Sequence, residues 1–224
     1  MTQLSAASQK RASYSSESMA RRRERVLDEA RRLIAEAGYD GVTMRLLAER
    51  SEVASATLYN IYGNKETLIA TAVSELLEEQ IERSKRVSGG GLDGALNHID
   101  WISGEILRMP EYARAMVTVY FSGSADNLVR DMLRQIASAN YKSMMDRFRE
   151  KGGLAPWVDT QIASDEISNH IYAVVHDWAI GRLPPEKLAD RQKFAMLLIL
   201  GGLTQGETLD QVRARLEACQ KRLV

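Results

Sequence analysis

Within the stretch SATLYNIY, Leu58 and Ile61 lie three apart and form a narrow apolar ridge, which leaves Ser55, Ala56, Thr57, Tyr59 and Asn60 to face outward. That outward face is short, polar and uncharged. Such a set suits a DNA major groove: an Asn amide pairs with adenine, a Thr methyl meets a thymine methyl, and a Tyr hydroxyl donates to a phosphate. The same pattern also fits an ordinary surface helix, because paired short helices occur in pure packing roles. A second constellation, Glu166, His170 and Asp177, falls near one helical face at spacings of four and seven. It has the donors for a divalent metal, a polar contact between helices or a ligand hook; two or three ligands from one helix leave a metal site incomplete.

The elements that must hold the first set can be read from their ends. Thr43 is a good N-cap, and Val42 and Leu47 occupy the N′ and N4 positions of a hydrophobic staple, so a helix starts here. Leu46, Leu47 and Arg50 continue it for about two turns, Val53 anchors a short turn, and a second helix opens at Ala54 or Ser55. Two short helices joined by a tight turn make a helix-turn-helix. Upstream, from about Ala20 to Ala37, the residues Val26, Ala30, Leu33, Ile34 and Ala37 form one apolar stripe. Asp28, Glu29, Arg31, Arg32 and Glu36 read as its solvated surface, and Gly38 as the left-handed residue that ends the helix. Asn64 caps a following helix. Lys65 at that N-terminus opposes the helix dipole but is well placed for a phosphate. Leu68, Ile69, Ala72, Val73, Leu76, Leu77 and Ile81 extend this helix toward Gly89-Gly90-Gly91 and allow it to link two domains mechanically.

The run T-x-x-x-L-A-x-x-x-x-V-x-x-x-T-L-Y-x-x-Y-x-N-K-E-x-L, with Thr43, Leu47, Ala48, Val53, Thr57, Leu58, Tyr59, Tyr62, Lys65, Glu66 and Leu68 on pattern, resembles the DNA-binding domain of the TetR/AcrR family of transcriptional regulators. The resemblance covers roughly residues 20–70 and includes the upstream RVLDEARRLIAEAGYDGVT. It departs in three places. The family usually carries Gly-Val-Ser at the turn, whereas this chain has Glu52-Val53-Ala54, which removes the usual serine cap at a cost of about 0.5–2 kcal/mol unless Ser55 takes over one residue later, and predicts a late start of the second helix. Tyr62 stands where Phe is common; it reads as mainly a core aromatic whose hydroxyl reaches toward a phosphate. Asn60 stands where His is frequent, so base preference cannot be transferred. The resemblance implies a phosphate contact for Lys65, a small-molecule pocket in the C-terminal region, a dimer formed by late helices, and an inverted-repeat operator.

Residues 1–18 are rich in Ser, Ala and Gln and predict a disordered arm. Lys10, Arg11, Arg21, Arg22, Arg23 and Arg25 concentrate positive charge at the edge of the reader, with Glu17 and Glu24 as the only acids through residue 25. Arg21, Arg22 and Arg23 join Thr43, Arg45, Ser55, Ala56, Thr57, Tyr59, Asn60, Tyr62 and Lys65 as the expected DNA-contacting set. The whole chain has 30 basic and 30 acidic side chains, so long-range steering is modest and affinity rests on local placement and on more than one subunit. No apolar run is long enough for a membrane span and no signal-peptide core is present, which predicts a cytoplasmic protein without a membrane partner. The single cysteine, Cys219, excludes an internal disulfide and a Cys-based zinc finger. It shares an apolar stripe with Leu209, Val212, Leu216 and Leu223.

Beyond the glycines the pattern predicts helices near 92–108, 111–121, 126–151, 160–182, 186–201 and 208–222. Met and aromatic side chains gather in this region. Trp101, Met109, Met116, Tyr120, Phe121, Met144, Phe148, His170 and Trp178 are the candidate lining of a cavity for flat or greasy ligands, and the same residues equally make an ordinary helical core. The helices around 160–201 carry Ile167, Ile171, Val174, Val175, Trp178, Ile180, Phe194 and Met196 through Leu200, an apolar surplus that suggests burial against a second copy. No serine-hydrolase, nucleotide-binding or metalloprotease motif accompanies His98, His170 and His176.

The expectation is an all-α protein, with an N-terminal three-helix helix-turn-helix DNA-binding domain and a C-terminal helical ligand-binding and dimerisation domain. The boundaries are a disordered basic arm at 1–19, the reader at 20–70 and the effector and dimer domain at 71–224. The function is that of a repressor released from its double-stranded operator by a small molecule, not an enzyme, with no cofactor or metal. The alternatives are an effector-independent DNA-binding dimer or an activator, and a metal-dependent helical-bundle enzyme.

Overall fold

The computed structural model describes the backbone of residues 2–121 and 127–224, and side chains over 18–86, 89–121 and 128–224. The expected arm, with Lys10 and Arg11, therefore lies almost wholly outside the described side chains. The helices are α1 (Thr2–Gly41), α2 (Met44–Ser51), α3 (Ser55–Tyr62), α4 (Lys65–Ser88), α5 (Gly91–Arg108), α6 (Pro110–Phe121), α7 (Asn127–Glu150), α8 (Thr160–Ala179), α9 (Leu188–Leu203) and α10 (Gly206–Leu223). A 3-10 turn at Pro185–Lys187 precedes α9. Among the described residues the only β-type pairing is a bridge between Leu154 and Thr204. The chain divides into two compact units, Met1–Val73 and Ser74–Val224.

In the first unit the apolar stripe of α1 is buried at Val26, Ala30, Leu33 and Ile34, joined by Leu27, while Ala37 is exposed. Gly38 breaks the helix at φ 70°, ψ 177°, a conformation open to glycine alone. The charged face is not simply solvated, as its composition suggested. Glu29 is buried and receives Arg32 at 2.5 Å and Arg50 at 3.2 Å, while Arg50 also reaches Glu36 at 2.5 Å. Arg31 donates to the Ala72 carbonyl at 2.8 Å and to Asp28 at 2.6 Å. These contacts tie α1 to α2 and to the start of α4, because a buried carboxylate is stable only with donors around it.

The second unit is a helical bundle whose ends match the sequence punctuation closely. One core cluster joins α5, α7, α8, α9 and α10 through Ile99, Met145, Ile167, Leu197 and Val212. Gln192, buried in α9, accepts from Ser103 of α5 at 2.6 Å, a polar clasp inside that core. Asp159 caps α8, accepting from Gln161 and Ile162 at 2.8 and 3.0 Å. The break between α7 and α8 needs its glycine. A Cβ on Gly153 would lie 2.5 Å from Thr208 Oγ1.

Candidate DNA-reading surface and effector cavity

Thr43 caps α2, its hydroxyl accepting from the Leu46 N–H at 3.2 Å, with Val42 and Leu47 both fully buried. The turn that follows is unusual. Glu52 sits at φ 53°, ψ 42°, a left-handed site where glycine is favoured, and its N–H closes α2 on the Ala48 and Glu49 carbonyls. Helix α3 does not start late. It opens at Ser55 with Ala54 as N-cap and no side-chain cap, so the Ala54 carbonyl alone receives the Thr57 and Leu58 N–H groups at 2.9 and 3.3 Å. Asn64 caps α4 by accepting from the Thr67 N–H at 2.8 Å.

Leu58 is fully buried, so one side of α3 is bolted to the unit. Its expected partner on the ridge, Ile61, is 60% exposed and belongs to the outer face instead. The ridge is completed by Tyr62, which is buried; the hydroxyl expected to reach toward a phosphate is out of solvent too. The spacing explains the exchange: Leu58 and Tyr62 are four apart and superpose along the helix, whereas Ile61 is rotated toward Thr57. Ala56, Tyr59 and Asn60 are exposed, Ser55 and Thr57 half-buried. Thr43, Arg45, Arg21, Arg22 and Arg23 are exposed on the same unit. Lys65 is half-buried, its ammonium 4.7 Å from the centre of the Tyr39 ring, a cation–π contact that the sequence spacing did not reveal.

Neither described cavity gathers the nine greasy candidates. Met144 and Phe148 are packed in one core cluster, Trp178 in a second cluster with Val117 and Leu188, and Met116 is buried. Trp101 and Met109 are half-buried, while Phe121 and His170 are exposed. Only Tyr120 and Met144 border described cavities, and they border different ones. A helical bundle of this size uses its Met and aromatic residues as filling. One described cavity, of about 410 Å³, adjoins the Gly89–Gly91 loop and contains His98. Asn140 Nδ2 donates to His98 Nε2 at 2.8 Å, and His98 Nδ1 pairs with Ser84 Oγ at 2.6 Å, so the ring is held neutral. Burial, aided by nearby Lys85, pushes its pKa down to about 4.

The other cavity, of about 540 Å³, lies among α6, α7 and α8 and is polar. Arg134, Ser138 and Lys142 recur at spacings of four along α7, and Gln161, Asp165 and Asn169 do the same along α8. Two facing polar stripes at helical spacing were therefore visible in the sequence, one position away from the Glu166 and His170 face that drew attention. Glu166 and His170 approach one another, with His170 Nδ1 3.9 Å from Glu166 Oε2 and 2.8 Å from the Glu166 carbonyl, but no group of three metal-ligating side chains occurs among the described residues. The apolar surplus of α8 and α9 is mostly consumed at home. Ile167, Ile171, Val174, Val175, Met196, Leu197 and Leu200 are buried in their own unit, leaving Ile180 and Leu198 exposed and Phe194 and Ile199 half-buried. Among the described residues no helix is long and apolar enough to cross a membrane.

Residues 26–72 match the family model for bacterial regulatory proteins of the tetR family. The chain is 26% identical to the HTH-type transcriptional repressor KstR of Rhodococcus jostii (strain RHA1), over 84% of its own length and 86% of that protein. It is 24% identical to the HTH-type transcriptional regulator UidR of Escherichia coli (strain K12), over 81% and 92% respectively. Among solved structures its fold is similar to that of FadR from Thermus thermophilus, with a TM-score of 0.67 at 18% identity over 83% of this chain and 96% of that one. SmeT of Stenotrophomonas maltophilia aligns with a TM-score of 0.64, also at 18% identity, over 83% and 92%. Motif, architecture and relatives agree: residues 26–72 carry the DNA-binding domain of the tetR family, and over most of its length the chain is similar to transcriptional regulators that carry that domain.

Proposed function

We propose that this protein is a repressor that grips an inverted-repeat operator as a homodimer and releases it when a small molecule binds the second unit. The observation that carries the reading is the division of α3: Leu58 and Tyr62 fix it from within, while Ala56, Tyr59 and Asn60 stand free at the surface. A rigid helix with an uncharged polar outer face is what a major groove admits. Asn60 is the base reader, Tyr59 and Lys65 hold phosphates, and Thr43, Arg45 and Arg21 to Arg23 extend the backbone contact. Exposed Ile180 and Leu198, with half-buried Phe194 and Ile199, supply the apolar centre of the dimer interface on α8 and α9. Helix α4 belongs to both units by sequence, and it is the element through which effector binding displaces the reader.

Fatty acyl thioesters accompany two structurally similar regulators: FadR of Thermus thermophilus is described in complex with lauroyl-CoA and FadR of Bacillus subtilis with stearoyl-CoA. Those ligands are theirs, and the polar cavity here has a different lining. Selection of bound fragments from the source genome tests the reading. Enriched fragments should share an inverted repeat whose half-sites lie about one helical turn apart. Retention of no fragment above background at physiological salt would remove the regulator reading, and operator binding by a monomer would remove the dimer.

A further inference from the structure

We propose, building on the repressor reading, that the effector is a hydroxylated organic anion bound in the cavity among α6, α7 and α8. The volume, about 540 Å³, suits a small molecule. Its chemistry is set by four side chains. Ser168 of α8 borders the cavity, is 2% exposed, and its hydroxyl has no hydrogen-bond partner. Buried hydroxyls are almost always satisfied, so an orphan on a residue that borders a cavity marks a place for a ligand atom to complete the bonding. Arg134 borders the same space with its guanidinium carbon 5.2 Å from the Tyr120 ring centre, and no ion pair to a described carboxylate engages it. Lys142, by contrast, is neutralised by Asp146 at 2.7 Å. Arg134 shares a side-chain hydrogen bond with Tyr120 but has no carboxylate partner among the described residues, so it is the cation left for a ligand, and its planar fork suits a carboxylate or a phosphate.

The same lining also accepts. Asp165 is steadied by Ser138 Oγ at 2.5 Å and Gln161 Nε2 at 3.0 Å, which orients its carboxylate and leaves lone pairs for ligand hydroxyls. Tyr120 donates to Asn169 Oδ1 at 2.8 Å and stacks on Tyr172 at 3.8 Å, making a fixed wall. One cation, one oriented carboxylate and an unpaired hydroxyl describe a ligand with an anionic group and several hydroxyls. An alkyl chain finds no slot here, because no Leu, Ile, Val, Met or Phe borders the space.

The test uses the full chain and five probes: gluconate, quinate, glucose 6-phosphate, glucose and lauroyl-CoA. Calorimetry and melting measure binding, and anisotropy of labelled operator measures DNA release. The proposal expects at least one hydroxylated acid or phosphate to bind at millimolar concentration or below and to release DNA, with carboxylate against phosphate deciding the anionic group. Binding should weaken about tenfold in Arg134→Gln and in Ser168→Ala. Without ligand, Ser168→Ala should melt roughly 2–4 °C higher, since an orphaned hydroxyl has been removed. The proposal falls if none of the three anionic hydroxylated probes binds, if glucose binds as well as they do, if lauroyl-CoA alone releases DNA, or if Arg134→Gln leaves anion affinity unchanged. Anion binding without DNA release would overturn the effector role. A failure of the protein to bind DNA would sink the repressor reading while leaving calorimetry to judge the cavity.

Discussion

Replacing Ala54 with serine should tighten the recognition helix. At present the Ala54 carbonyl is shared between the Thr57 and Leu58 N–H groups, at 2.9 and 3.3 Å, and no side chain assists. A serine hydroxyl at the N-cap accepts from the third helical N–H, here that of Thr57, and frees the carbonyl for Leu58. The gain is about 1 kcal/mol. Local opening of α3 should therefore become about fivefold rarer. Amide hydrogen exchange on the full-length protein reads this directly, because opening of one short helix need not follow global unfolding. Thr57 and Leu58 should exchange about fivefold more slowly, while amides of α8, in the other unit, stay as they were. Unchanged exchange at Thr57 and Leu58 would refute the view that the start of α3 is capped by backbone alone.

Glu52→Gly should stabilise the first unit by up to about 1 kcal/mol in urea unfolding: relief of left-handed strain worth about 1–2 is partly offset by glycine's larger chain entropy and the weak, exposed Arg25–Glu52 pair; a loss of stability would contradict the strain. Leu58→Ala, at a fully buried position, should cost about 2–5 kcal/mol, whereas Ile61→Ala should stay within about 0.5 kcal/mol in the same measurement and change DNA affinity instead. Burial pushes the folded His98 down to about 4, below its ordinary 6.5, so the unfolded chain binds more protons between those values. Its contribution is whole above about pH 6.5 and falls as the pH drops toward 4, by about 3 kcal/mol in all. Urea midpoints at pH 7 and 4.5 should converge in His98→Gln, and an undiminished acid loss in that variant would remove His98 as the cause.

The helix ends were legible because capping is local: Thr43, Asn64 and the glycines act on their own neighbours, and the structure follows them within a residue or two. The outer face of α3 was legible for the same reason, apart from Ile61. A three-residue spacing is a weaker guide than a four-residue one when a helix is short, and Tyr62 won the buried position. The ion cluster around Glu29 was hidden because it depends on α2 crossing α1, which no local pattern announces. The cavity was missed for a chemical reason. The bundle consumes its Met and aromatic side chains as core, while the cavity is lined by polar residues that on a single helix look like solvated surface.

The most direct test measures discrimination by titrating wild-type protein and Asn60→Ala against a selected operator and a scrambled duplex at fixed physiological salt. Wild type should prefer the operator by about 10³-fold or more, and Asn60→Ala should lose about 1–3 kcal/mol per half-site of that preference with little change on scrambled DNA. Equal weakening on both duplexes, or no preference in the wild type, would contradict the assignment of α3 as the element that reads sequence.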